Sequence, residues 1–216
     1  MHLTQTGDEA SRLERLTRNR GGLWESIALE LLGLLIFVGV FNFLLPSLGD
    51  VFGTAGRIVL GIIFGVIPAA IWLIFFYQLD RREPEPKQMV INVFVLGALF
   101  MSALYQPVLK GIFAVDDWLY QSAASRFFGG VLVVGFVEQF VVYLAVRYGI
   151  FDNPEFDERV DGVIYAVAAG LGVATVVNFI YVWDRGGVDL DIGSILMVFN
   201  ALAYASLSGV LGYFIG

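Results

Sequence analysis

The chain has 216 residues, of which 58% are hydrophobic and 15% charged, and its mean hydropathy is +0.77. An ordinary globular domain carries about a quarter charged residues, so this composition excludes a water-soluble domain and points to an integral membrane protein. The net charge of -7 comes from Asp and Glu in loops and the tail, and no basic patch points to a DNA or RNA partner.

There are no cysteines and one histidine, His2, which removes disulfides, thiolate metal sites and a cysteine nucleophile from consideration. The start, MHLTQTGDEASRLERLTRNR, places about 20 polar residues before the first apolar run. It does not resemble a cleavable signal peptide, whose charged region is short. Residues 1–22 therefore read as a polar tail. Arg12, Arg15, Arg18 and Arg20 with interleaved leucines fit either an amphipathic surface helix or a solvated arm that sets topology.

Apolar runs of about 20 residues, the length that crosses the hydrocarbon core, occur at Leu23–Leu45, Ile58–Tyr77, Met89–Phe113, Phe127–Tyr148, Gly162–Trp183 and Ile192–Ile215. These runs are continuously apolar, so they predict helices and not barrel strands. The fold class is all-α, a polytopic membrane bundle of about six transmembrane helices over residues 23–216. Nine Lys and Arg fall on one side against four on the other, and the positive-inside bias predicts a cytoplasmic N-terminus.

Within the first run, Glu25 reaches interfacial water and Glu30, deeper, needs a partner. In the second, Gly61 and Gly65 form a small-xxx-small pair suited to close helix approach. The connection YQLDRREPEPKQ follows, in which Pro84 and Pro86 stiffen the backbone. Beyond the third run, KGIFAVDDWLYQSAASR offers interfacial Trp118 and Tyr120 and room for a short helix lying along the membrane. The loop DNPEFDERVD lacks the glycine and closing glutamate of a calcium loop and reads as a solvated turn, with Asp161 and Gly162 starting the next helix. The last two runs carry faces of Gly, Ala and Ser, the pattern that brings backbones together. After Gly216, either the last helix ends flush with the membrane boundary or the chain continues.

Glu138 is the carboxylate deepest in an apolar run. A charge near the bilayer centre costs at least about 2.5–3.5 kcal/mol on insertion scales, so Glu138 should be protonated, hydrogen-bonded or facing a water-filled cavity. Gln139 stands beside it. Asn178, Asn200 and Tyr204 lie at comparable depths on the following helices, where they either share one polar cavity with Glu138 or make ordinary interhelical hydrogen bonds. A proton-coupled transporter with Glu138 as carrier is compatible with these residues, although no inverted repeat is evident.

The order EPEP, EQFVV, DGVIYAVAAGLG, VVNFIYV and NALAYASLSGVLGYFIG, from about Tyr77 to Gly216, resembles the PrsW family of bacterial intramembrane proteases, relatives of the type II CAAX prenyl endopeptidases. The resemblance implies a multi-pass protein of the cytoplasmic (inner) membrane and a transmembrane protein as substrate or partner. It further implies a Glu-Glu-x-x-Lys motif, a Glu-Asn pair and a histidine that together bind a metal and activate water. Glu138 keeps the first glutamate and Asn178 the asparagine. Gln139, Val142, Val177 and Tyr204 occupy the positions of the second glutamate, the lysine, the other glutamate and the histidine.

One carboxylate with two amides and a phenol is a poor ligand set for zinc, which normally takes about three protein ligands beside a water. No cofactor is expected from these residues, and zinc only if the site is completed elsewhere. The sequence thus predicts a protein on the protease scaffold that has lost most of its catalytic set and binds or regulates membrane proteins. The alternative is an active metalloprotease that uses Glu138 with ligands from outside this chain.

Overall fold

A computed structural model of the chain describes residues 28–29, 31–40, 43, 53–56, 58–59, 61–63, 65–78, 85–185 and 193–216. The polar tail, Glu25, Glu30 and the first half of the Glu-Pro-Glu-Pro run lie outside the described residues. Everything regular among the described residues is helical.

A ten-residue apolar helix, α1 (Leu31–Val40), is the described part of the first predicted span. Five helices are long and apolar enough to cross a membrane: α2 (Gly53–Gln78), α3 (Lys87–Ile112), α5 (Ala123–Gly149), α6 (Arg159–Asp184) and α7 (Gly193–Ile215). A single-turn helix, α4 (Val115–Trp118), sits in the loop after α3, where a short interfacial helix was expected. The five long helices match the second to sixth predicted spans to within a few residues.

Helix α6 is the centre of the bundle. Every residue from Ile164 to Ala174 is buried, because the small side chains of YAVAAGLGVA let neighbours approach its backbone from two sides. On one side a Cβ on Gly97 of α3 would lie 2.3 Å from the Ala169 carbonyl oxygen, and one on Gly172 would lie 2.1 Å from that of Phe94. On the other, a Cβ on Gly212 of α7 would lie 2.1 Å from the Gly162 carbonyl oxygen. No side chain of any kind fits at these crossings, so α3, α6 and α7 are in backbone contact.

The start of α6 lies two residues earlier than the Asp161-Gly162 step. Glu158 is the N-cap, and Asp161 is the third helical residue of a reciprocal capping box. The Asp161 Oδ2 accepts from the Glu158 amide at 2.7 Å and the Asp157 amide at 3.1 Å. The acidic loop therefore spends its carboxylates on helix capping and on an ion pair, Arg147 to Asp152 at 2.9 Å.

Two of the long helices contain wider, π-type turns. One spans Tyr105–Ile112 at the end of α3, where Pro107 has no amide hydrogen to donate and the ordinary ladder cannot continue. The other spans Gly130–Gly135 in α5 and ends three residues before Glu138. The apolar core joins α3, α5 and α6, with Met101, Val141, Val142, Tyr165 and Ala169 fully buried.

Candidate functional site

A cavity of about 610 Å³ lies between α7 and the part of α5 that carries the wide turn Gly130–Gly135. Gly130, Gly135, Glu138 and Gln139 line it from α5, and Ala203, Tyr204 and Leu207 from α7. Its rim is apolar and open, with Leu132 and Leu207 exposed on either side, as suits a crevice that faces lipid. π-turns recur at functional positions because they aim side chains out of the helical repeat; here Glu138 lies three residues beyond the turn's last residue, Gly135.

Glu138 and Gln139 are both half-buried. The Glu138 carboxyl and the Tyr204 hydroxyl both line the cavity, one from α5 and the other from α7, and interact electrostatically. Ser208, one turn beyond Tyr204 and fully buried, points its hydroxyl at the Gln139 carbonyl oxygen over a long 3.5 Å. Three of the candidate residues, Glu138, Gln139 and Tyr204, are thus brought together.

The fourth, Asn178, is not among the residues lining that cavity. It is almost fully buried and accepts a hydrogen bond from Asn200 Nδ2 at 3.0 Å. Its own amide nitrogen is 3.5 Å from the Gly65 carbonyl of α2. Gly65 approaches so closely that a Cβ there would lie 3.4 Å from the Asn178 Cβ. The two asparagines therefore form a separate polar node joining α2, α6 and α7. The sequence did not single out the wide turn; the glycines Gly129, Gly130 and Gly135 were its one visible signal.

Val142 is fully buried in the core shared by α3, α5 and α6, and Val177 packs against that core half-buried. The residues around the cavity that can donate to a metal are one carboxylate, one amide carbonyl and one phenol. No group of three His, Cys, Asp or Glu side chains converges among the described residues. Amide and neutral phenol oxygens are weak ligands for zinc, so this donor set does not fit a hydrolytic zinc ion.

Fold and site together define a multi-pass helical membrane protein with a polar group set at mid-depth in a crevice between two of its helices. The model of the PrsW family of intramembrane metalloproteases matches residues 85–216, and the chain belongs to that family. It is similar to proteins named Protease PrsW. The one from Geobacillus kaustophilus is 31% identical over 152 residues, 70% of this chain and 64% of the relative. The one from Oceanobacillus iheyensis is 28% identical over 153 residues, covering 70% and 66%. The one from Bacillus subtilis is 26% identical over 152 residues, also covering 70% and 66%. The match spans just under two thirds of these relatives' own length. No solved structure matches the chain significantly.

Proposed function

We propose that this chain is a PrsW-family protein of the cytoplasmic membrane, N-terminus inside, that has lost peptidase activity. It acts by holding a membrane-spanning segment of another protein at the α5–α7 crevice, as a regulator or sequestering partner. The observation that carries this reading is the state of the four substituted motif positions. Gln139 and Tyr204 border the crevice, while Val142 and Val177 are packed into or against the apolar core. An amide cannot take the proton that a second carboxylate takes in activating water. Glu138, Gln139 and Tyr204 remain able to hydrogen-bond a polar group on an incoming segment, and the cavity leaves room for it.

The test combines three measurements on the purified chain and its Glu138→Ala variant. Zinc content should stay well below one ion per chain in both. A single-pass reporter peptide in liposomes should remain uncleaved. A photo-crosslinking residue at Ala203 should capture a single-pass membrane protein in native membranes, while one at Phe214, on the exposed face of α7, should not. Stoichiometric zinc that disappears with Glu138→Ala, together with reporter cleavage, would refute the proposal. That result would favour the rival reading, an active protease whose remaining ligands come from elsewhere, which the retention of Glu138 at the crevice supports.

A further inference from the structure

The end of the bundle where α3 and α6 begin and α5 ends carries a second cavity that plays no part in the site above. It lies between α2 and α3 and has a volume of about 390 Å³. Leu73, Ile74, Val90 and Ile91 form its walls, and Gln78 and Lys87 stand at its mouth. We propose that this groove is a site for an anionic phospholipid, with the phosphate on Lys87 and one acyl chain along the four aliphatic side chains.

Charge complementarity selects the occupant. Lys87 is the first residue of α3, is exposed, and makes no ion pair with any described residue. Lys110, by contrast, is paired with Asp116 at 3.4 Å and Asp184 at 3.7 Å. The carboxylate nearest to Lys87 in sequence, Glu85, is turned inward. Its side chain is 5% exposed, and its Oε2 accepts a hydrogen bond from the Tyr165 hydroxyl at 2.6 Å. The Tyr77 hydroxyl donates to the Glu85 carbonyl at 3.0 Å, which ties the start of α3 to the end of α2 and fixes the mouth of the groove. A basic residue at the membrane boundary above an aliphatic groove between two helices is the arrangement that recognises an anionic headgroup with its chain. A free anion would need the lysine but not the groove; a zwitterionic lipid would need the groove but gain little from the lysine.

The experiment offers detergent-purified, delipidated full chain an equal mixture of phosphatidylglycerol and phosphatidylcholine, and reads retained lipid by native mass spectrometry. One lysine near an anionic headgroup gives about fivefold preference for phosphatidylglycerol. Lys87→Gln should bring the ratio to parity with total lipid retained. Ile91→Trp, which fills the groove, should lower retention of both lipids. Arg147→Gln, at the same end but paired with Asp152, should keep the preference, and inorganic phosphate should not displace the lipid. Equal retention by the unaltered chain, a preference that survives Lys87→Gln, an equal loss in Arg147→Gln, unchanged retention in Ile91→Trp, or displacement by phosphate would each overturn the proposal. Should Ile91→Trp fail to fold, the Lys87→Gln ratio and the phosphate competition decide. None of these readings depends on the state of Glu138, so failure here leaves the proposed function untouched.

Discussion

Replacing Tyr165 with Phe tests whether the second half of the Glu-Pro-Glu-Pro run anchors the central helix. Tyr165 is fully buried and Glu85 nearly so; the hydroxyl donates to the carboxyl at 2.6 Å, across 80 residues of sequence. Removing the hydroxyl leaves the ring and its neighbours, Phe156 at a centroid distance of 6.2 Å among them, so the change removes the bond to Glu85 and the longer contact to Met89 Sδ at 3.8 Å. Hydrogen bonds to charged groups contribute about 1.5–3 kcal/mol in soluble proteins, and interhelical ones in membranes reach at most about 1.7 kcal/mol. The two ranges meet at about 1.5–1.7 kcal/mol. For a chain of this size that corresponds to a fall of roughly 3–7 °C in the thermal midpoint. The assay is intrinsic-fluorescence unfolding in detergent of Tyr165→Phe, Glu85→Gln and the double variant. The double variant should be less destabilised than the sum of the two single changes, since both weaken the same contact. A shift under about 1 °C in Tyr165→Phe, or strict additivity in the double variant, would show that the contact does not hold the helix.

Two other outcomes follow from the packing. Gly172→Ala should destabilise by about 1–3 kcal/mol, because its Cβ would meet the Phe94 carbonyl at 2.1 Å. Gly209→Ala, whose nearest neighbour is the Val167 side chain at 3.3 Å, should be milder, and the same unfolding assay ranks the pair. Asn200→Ala removes the donor to Asn178 Oδ1 and should cost about 0.6–1.7 kcal/mol. A comparison with Asn178→Ala then shows whether the node acts as one unit.

Much of the fold was legible because the bilayer imposes a length and a polarity on every spanning segment. Lys87–Ile112 was read as Met89–Phe113, and Arg159–Asp184 as Gly162–Trp183. The misplaced start of α6 came from starting the helix at the Asp161-Gly162 step, when a capping box puts the acidic residue three positions inside the helix. The candidate residues of α5 and α7 were legible as polar groups in apolar runs. Their grouping was not. Depth along a helix says nothing about azimuth, and Asn178 lies at a depth like that of Tyr204 yet belongs to the node with Asn200 and Gly65. The wide turn was hidden for a related reason: periodicity assumes a uniform repeat, and Gly130–Gly135 departs from it.

The packing of Val142 has a consequence for any return to the family's charged set. Val142 is fully buried in the core shared by α3, α5 and α6, so a lysine placed there would bury an ammonium whose nearest carboxylate along α5 is Glu138, one turn earlier. Leaving one charge of a buried pair uncompensated costs about 3–5 kcal/mol, a large share of a typical protein's margin of stability. Val177 is only half-buried, so a carboxylate there would meet a smaller barrier. The bundle thus treats the two positions differently: one admits a charge only if its side chain reaches a carboxylate, and the other leaves a route to the edge of the core.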